Sequence, residues 1–138
     1  MRAHLAIVEP VYADLIASGA KTIEARLSVQ RRAPWGRVRV GDVVYVKPKS
    51  GAVALEARVS LVRQYQALTP ARIERLRDEF GEQVRAPDAF WQAKRTARYA
   101  TLIGLEAVVP VRTPPVLPPA GHRRNAWCVL SGCVAPAA

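Results

Sequence analysis

The sequence predicts an α+β fold, a small mixed β-barrel of five to six strands with helices at its periphery. The clearest strand spans residues 53–62, where apolar residues occupy every second position: Val53, Leu55, Ala57, Val59 and Leu61. This period of two is typical of a half-buried strand. Prolines and glycines at helix-start and helix-stop positions separate it from other short apolar runs. A chain of 138 residues fits one domain, which we predict over residues 1–133, with a frayed tail at 134–138.

The chain is predicted to begin with a strand, a helix and a second strand. Residues 4–8 are a short apolar run, and Pro10 suits the first turn of a helix that Gly19 ends. The apolar stripe of this helix is Val11, Tyr12, Leu15 and Ile16. A period-two pattern over residues 22–28 then predicts a strand that buries Ile23, Ala25 and Leu27 and carries polar side chains on its other face.

A loop and a hairpin follow. Residues 29–40 are a loop by composition, and Gly41-Asp42 forms a turn. Residues 43–47 and 53–62 are two strands joined by a short glycine-containing loop, which predicts a β-hairpin.

The second half of the chain is predicted to contain two helices and two strands. Thr69 and Pro70 begin a helix that Gly81 ends. The elements after it are a helix over residues 87–97 with Phe90 and Trp91 in the core, a strand over 99–109, a proline-rich connector over 113–119 and a closing strand over 126–130. The barrel is predicted to bury Val53, Leu55, Val59, Leu61, Ile103 and Trp127.

The charge composition favours a polyanionic partner. The formal charge is +10, from 21 Lys and Arg residues against 11 Asp and Glu residues. Eight cations and two acids fall between Lys21 and Lys49, and such a concentrated excess is typical of a nucleic-acid-binding surface. The alternative is a compositional preference for arginine without a binding role.

Other sequence features argue against a membrane or metal protein. No apolar window reaches the roughly 20 residues of a membrane span, and the first residues lack a secretory signal. Cys128 and Cys133 are the only cysteines, and His4 and His122 are isolated, so a zinc-site spacing is missing. We therefore expect a cytoplasmic protein without a metal, a cofactor or a membrane partner.

Residues 19–26 gather ionisable side chains where the first helix gives way to a strand. Glu24 and Arg26 are two positions apart and share the polar face of that strand. Lys21 reaches the same side only if the strand begins after it or bulges there. A glutamate can accept a hydrogen bond from a cytosine amino group, and an arginine can bind a phosphate. The pair therefore predicts a nucleotide-binding site. The alternative is a solvated cluster of surface ion pairs.

Basic side chains also surround an aromatic residue in the loop at 29–40. Trp35 lies among Arg31, Arg32 and Arg37, where cations can contact phosphates while the ring stacks on a base. Equally, Trp35 can plug one end of the barrel. Tyr45, Lys47 and Lys49 occupy alternate positions near the tip of the hairpin, so they can share one face of the strand. Alternatively, the two lysines only discourage edge-to-edge pairing of strands.

The run at residues 19–26 (Gly-x-Lys-Thr-Ile-Glu-x-Arg), followed by Gly-Asp at 41–42, resembles the ASCH (activating-signal-cointegrator homology) domain of the PUA-like superfamily. The aromatic pair at 90–91 before residues 98–102, and the closing run at 123–130, extend the resemblance over nearly the whole chain. The resemblance implies a PUA-like β-barrel with peripheral helices and a cleft between the barrel and a helical insert.

The family includes an amidohydrolase of N4-acetylcytidine, which uses a Lys, a Thr and a Glu, and proteins considered RNA-binding or ribonucleolytic. By resemblance, Lys21 corresponds to the catalytic Lys, whereas Glu24 stands where the amidohydrolase has its Thr, with Thr22 close by. Glu74 falls in the helix that corresponds to the segment of the catalytic Glu. The amidase assignment therefore transfers only at Lys21.

We predict an RNA- or nucleotide-binding domain. Its cleft is predicted to be lined by Lys21, Thr22, Glu24, Arg26, Tyr45 and Lys47, with a nucleic-acid-binding rim of Arg31, Arg32, Trp35, Arg37 and Lys49. Two alternatives remain open at this stage. One is a hydrolase of a modified nucleoside or of RNA, with Lys21 and Glu24, and less directly Glu74, as catalytic residues. The other is a protein-interaction module with an unknown partner.

Overall fold

The computed structural model describes residues 1–119 and 126–130 of the chain. Within them lie six strands and three helices, in the order β1 (Ala3–Val8), α1 (Pro10–Ser18), β2 (Ile23–Ser28), β3 (Val43–Pro48), β4 (Leu55–Tyr65), α2 (Pro70–Val84), α3 (Asp88–Ala93), β5 (Tyr99–Pro110) and β6 (Trp127–Val129). The predicted tail at 134–138, His122, Cys133 and the start of the closing run at 123–125 lie outside the described residues.

The six strands form one mixed sheet in the order β2-β5-β4-β3-β1-β6. β1 and β3 are parallel, and the other neighbouring pairs are antiparallel. A parallel pair needs a long crossover, which α1, β2 and the following loop supply. The sheet curls into a half-barrel whose edge strands are β2 and β6, so the predicted α+β architecture and the β3–β4 hairpin are confirmed.

The two faces of the sheet carry separate apolar clusters. The inner face packs α1 against side chains from five strands, among them Ala6, Val44, Val46, Leu55, Val59, Ile103 and Trp127. On the opposite face, α2 and α3 cover β2 and β5 through Ile73, Leu76, Trp91, Leu27 and Leu102. Each fully buried aliphatic side chain contributes about 1.5–3 kcal/mol, so both clusters stabilise the sheet that carries residues 21–26.

The predicted alternation in β4 is confirmed for its first half. Leu55 and Val59 are buried, as are Ile103 and Trp127 from the same prediction. The pairing with β5 is irregular between Val59 and Leu61, where one residue is inserted. An inserted residue reverses the side-chain alternation, so Leu61 is half-buried against the outer cluster while Val62 packs on the inner one. Val53 is half-buried and precedes the strand.

The helices begin as predicted but differ in their details. Gly19 ends α1 with a φ of 82°, as expected. Ile16 is buried as predicted, but Val11 is 58% exposed, and Ala13 is buried although it was not in the predicted stripe. The prediction that Gly81 ends α2 is wrong, because the helix continues to Val84. Arg85 adopts the left-handed conformation that ends the helix and donates its backbone N–H to the Gly81 carbonyl. This extension matters for the site, since it places the Val84 carbonyl beside Lys21.

Candidate ligand-binding cleft

Lys21, Glu24 and Arg26 form one buried ion cluster. The Glu24 Oε1 atom lies 3.3 Å from Lys21 Nζ, and Oε2 lies 3.0 Å from Arg26 Nη2. Lys21 is 2% exposed and Glu24 6% exposed. β2 begins at Ile23, so Lys21 precedes the strand and its side chain is free of the strand alternation. The cluster is therefore not a set of solvated surface ion pairs.

Lys21 links β2 to the end of α2. Its Nζ atom donates to the Ile23 carbonyl at 2.8 Å and to the Val84 carbonyl at 2.6 Å. The third partner is Glu24, and the Tyr12 ring lies 5.2 Å from the amine. An ammonium group has three N–H donors, so these contacts use all of them.

The protonation states follow from burial and from the neighbouring charges. Burial alone raises the pKa of the Glu24 carboxyl, but Arg26 and Lys21 outweigh that effect and hold its pKa below the usual range. Burial lowers the pKa of the Lys21 amine, and the charge of Glu24 opposes part of the shift. Glu24 is thus an ionised carboxylate that holds two cations in place.

Arg26 joins the two edges of the half-barrel. Its guanidinium donates to the Ile7 carbonyl at the end of β1 and to the Ala126 carbonyl before β6, each at 3.1 Å. It also lies 5.4 Å from the centre of the Trp127 ring. Because β2 and β6 are opposite edges of the sheet, this one side chain spans the opening of the curl.

A buried network of hydrogen bonds holds the Trp127 ring in place. The Trp127 indole N–H donates to Nδ1 of His4 at 3.1 Å, and Nε2 of His4 lies 2.8 Å from Oδ2 of Asp42. Asp42 also accepts from the backbone N–H groups of Arg2 and Arg39. Burial lowers the pKa of His4, although Asp42 opposes the shift. The sequence interpretation of His4 as isolated missed this network.

Three cavities that share lining residues lie along β2 and the start of the loop after it, and together they are termed the groove. The motif cavity, about 200 Å³, is lined by Glu9, Tyr12, Glu24, Lys49 and Phe90 among others. The central cavity, about 490 Å³, shares Arg26, Leu27, Lys94 and Ala126 with it. The distal pocket, about 270 Å³, contains Arg98 and shares Val29 and Tyr99 with the central cavity. Six residues of β2 extend over about 16 Å, which gives the scale of this groove.

The loop after β2 forms one wall of the central cavity. Trp35 is half-buried, donates its indole N–H to the Tyr65 carbonyl at 3.0 Å, and meets the Tyr99 ring edge-on at 5.7 Å. Arg31 lies 5.5 Å from the Trp35 ring centre, and Arg32 lines the cavity beside it. Trp35 therefore packs on the sheet and also borders the cavity, so its position combines features of both sequence interpretations.

Several predicted site residues lie elsewhere. Tyr45 is buried on the face of β3 opposite the inner cluster, against Leu5 and Leu130. Lys47 shares its parity and donates to the Pro48 carbonyl. Glu74 is exposed on α2, and Thr22 and Arg37 are exposed and line none of the three cavities. Of the predicted site residues, Glu24, Arg26, Lys49, Arg32 and Trp35 line the groove, whereas Lys21 contacts it only through Glu24 and Arg31 only through Trp35.

Other groove residues were not found by sequence reasoning. Lys94 lines both the central cavity and the motif cavity from the end of α3, and nothing in its local pattern marks it. Phe90 lines the motif cavity although it was assigned to the core. Thr101 lies on the same side of β5 as Tyr99 and Ile103, and a polar residue in that apolar row is the one signal that sequence inspection offers.

Two further features concern the described residues only. Over residues 1–119 and 126–130, no three His, Cys, Asp or Glu side chains come together as a metal site requires. None of the helices in this part of the chain is long and apolar enough to cross a membrane.

The mixed half-barrel and its three helices have the arrangement found in solved ASCH domain structures. The structure is similar to that of ASCH from Zymomonas mobilis, with a TM-score of 0.63 at 19% identity over 80% of this chain and 71% of that one. A serine-to-alanine variant of the same protein gives a TM-score of 0.65 at 18% identity over 93% and 87% of the two chains. An ASCH domain from Lactobacillus crispatus gives 0.50 at 16% identity over 78% and 80%.

The chain thus has the ASCH domain fold, which confirms the resemblance at the level of structure. No family model matches the sequence, and no curated protein is significantly similar to it.

Proposed function

We propose that this ASCH-type domain binds single-stranded RNA or a nucleotide in the groove along β2. The observation that carries the proposal is the charge of the central cavity. Arg26, Arg32 and Lys94 line it, and no Asp or Glu is among its described lining residues. A volume of about 490 Å³ is within the usual range for small-molecule sites. A concave, positively charged surface of this size suits an anionic ligand.

Aromatic rings in the same cavity support a nucleic-acid ligand over a simple anion. Trp35, Tyr99 and Trp127 all line it. Nucleic-acid-binding grooves combine cations, which follow the backbone, with aromatic rings on which bases stack. The continuation of the groove past Tyr99 to Arg98 adds a further cation along the same path.

The contacts of Lys21 argue against the hydrolase alternative. A catalytic lysine must reach substrate with a free amine or with a proton to exchange. Lys21 donates to two carbonyls and Glu24, and it lines none of the three cavities. These contacts suit a residue that positions β2 and Glu24. Binding without turnover is therefore the better-supported function, and no contact among the described residues favours the protein-interaction alternative.

The proposal is tested by fluorescence anisotropy with a labelled single-stranded RNA of about ten nucleotides, within the range of known site sizes. Affinity should fall steeply as salt rises, because each neutralised phosphate releases counterions. Arg32→Ala should weaken binding and reduce the slope of log affinity against log salt by about 0.7, the value for one contact on a single strand. Recovered RNA and an N-acylated cytidine should be unchanged by mass spectrometry.

Arg75→Ala is the matched control, because Arg75 is an exposed arginine on the outer helix α2. It makes the same change in net charge and should leave the affinity close to that of the wild type. Affinity that does not change with salt would contradict the proposal, as would equal losses from the two variants. Hydrolysis of the N-acylated cytidine by the wild-type protein would favour the hydrolase instead.

A further inference from the structure

One buried hydroxyl group beside the central cavity lacks a hydrogen-bond partner among the described residues. Thr101 is 1% exposed, and its Oγ1 atom is buried and unpaired within residues 1–119 and 126–130. The residue lines the central cavity and lies on β5 between Arg26 of β2 and Gln64 of β4. Buried polar groups in proteins are almost always paired, so an unpaired hydroxyl on a residue that lines a cavity needs an explanation, and a ligand group in that cavity is one.

The charged side chains that line the central cavity beside Thr101 are all cations, and cations only donate hydrogen bonds. A guanidinium has five N–H donors, and Arg26 uses three of them on Ile7, Ala126 and Glu24. Within residues 1–119 and 126–130, two N–H groups of Arg26 therefore have no partner and can bind a ligand. Arg32 and Lys94 add two more cationic groups to the cavity wall. A site rich in donors and positive charge suits a ligand group that is anionic and offers several acceptors.

We infer that the central cavity binds a phosphate group of the nucleotide or RNA, and that Thr101 and Arg26 donate to its oxygens. This inference rests on the proposed function and assigns one part of the ligand to one part of the groove. Directly opposite residues on antiparallel strands have Cβ atoms about 4.5–5.5 Å apart, so Arg26 and Thr101 leave the sheet at neighbouring points on the same face, and both line the central cavity. A hydroxyl that donates to a phosphate oxygen makes a charge-assisted hydrogen bond, which is stronger than a neutral one.

The test compares each common ribonucleoside 5′-monophosphate with its nucleoside by isothermal titration calorimetry. In the wild type, at least one monophosphate should bind about tenfold or more tightly than its nucleoside, the scale of one hydrogen bond to a charged group. Thr101→Val removes the hydroxyl and should reduce this preference for the monophosphate, while Arg26, which also donates to the phosphate, should retain part of it. Thr96→Val is the matched control, because Thr96 is exposed, and it should preserve the difference.

A thermal melt separates ligand binding from a structural role of the hydroxyl. Thr101→Val should melt at or above the wild-type temperature, because no intramolecular hydrogen bond is lost. A lower melting temperature, together with an unchanged preference for the monophosphate, would overturn the inference by assigning the hydroxyl a structural role. A dinucleoside phosphodiester in the same titration distinguishes an internal phosphate from a terminal one, and a Thr101-dependent gain with either supports the site.

The outcomes distinguish this inference from the proposed function. If RNA binds with strong salt dependence but nucleosides and monophosphates bind equally, the phosphate site is wrong and the proposed function stands. If no nucleoside, nucleotide or RNA binds, both are wrong.

Discussion

Trp127 donates its indole N–H to Nδ1 of the buried His4 over 3.1 Å. An indole N–H can only donate, so Nδ1 must carry a lone pair, and the proton of the neutral ring is on Nε2, where it faces Asp42 at 2.8 Å. Protonation of His4 would place a second N–H opposite the Trp127 N–H and break this bond. Trp127 lines the central cavity and contacts Arg26. The neutral state of His4 therefore helps to hold Trp127 in place in the cavity wall.

Stability should therefore fall as the pH decreases below about 6.5, the usual pKa of histidine. Burial holds the pKa of His4 below that value in the folded state, against the opposing effect of Asp42, and the charge of Arg2 acts in the same direction as burial. The unfolded chain then binds the proton first, so the free energy of unfolding decreases by up to about 1.4 kcal/mol per pH unit until the folded pKa is reached.

Urea unfolding of the wild type and of His4→Gln at about pH 7.5 and about pH 5.5, on either side of the histidine pKa, measures this contribution. The variant should be less stable than the wild type at the higher pH but should lose less stability on acidification. Equal losses in the two proteins would show that His4 is not the group that titrates.

Glu24→Gln should destabilise the fold by about 3 kcal/mol, since removal of one member of a buried ion cluster leaves uncompensated charge. Here the residual charges are on Lys21 and Arg26. Glu82→Gln, at an exposed position of α2, is the control and should change stability by less than about 0.5 kcal/mol. Chemical unfolding at neutral pH compares the three proteins, and equal stabilities would mean that the cluster contributes nothing.

The same carboxylate should contribute to acid sensitivity. The pKa of Glu24 is lowered in the folded state by Arg26 and Lys21, so its contribution is fully present above the unfolded value of about 4.3. It is lost as the pH falls from there through the folded pKa. Wild-type protein should therefore show a steeper loss of stability below about pH 4.3 than Glu24→Gln does. Circular dichroism can monitor the acid titration of both proteins. If the two lose stability equally as the pH falls, this assignment is contradicted.

Gly104→Ala should destabilise the sheet by about 1–3 kcal/mol, the usual cost of overpacking. A Cβ atom at this position would lie 2.7 Å from Ser60 Oγ and 2.8 Å from Leu61 Cβ, at the irregular pairing of β4 with β5. Gly81→Ala is a control with the opposite expected sign, because Gly81 lies within α2 and its new Cβ would meet only Arg77 at 3.7 Å. Alanine is the better helix former by about 1 kcal/mol. Thermal unfolding of both variants tests the pair of predictions.

The polar face of β2 could be predicted from sequence because it depends on a local period of two. Glu24 and Arg26 share a side of the strand whatever the strand pairs with. Tyr45 could not be placed in this way, because β3 lies between β4 and β1 and a central strand can be buried on both faces. Tyr45 and Lys47 are two positions apart and so share a face of β3, but this spacing did not show whether that face is exposed.

The central cavity depends on contacts between distant parts of the chain. Thr101 becomes a neighbour of Arg26 only through the pairing of β2 with β5, and the strand order does not follow from the hydrophobic pattern. Lys94 and Ala126 reach the cavity from two other segments. For the same reason, the sequence predicted the charge of the site better than its shape.

The three tryptophans of the chain allow the most direct test of the central claim. Trp35 and Trp127 line the central cavity, whereas Trp91 is buried in the outer cluster beneath α2. In an NMR titration of ¹⁵N-labelled protein with a short single-stranded RNA, the indole N–H resonances of Trp35 and Trp127 should shift in proportion to RNA bound, and that of Trp91 should remain in place. Saturable binding that leaves the Trp35 and Trp127 resonances unchanged would contradict a nucleic-acid site in the groove along β2.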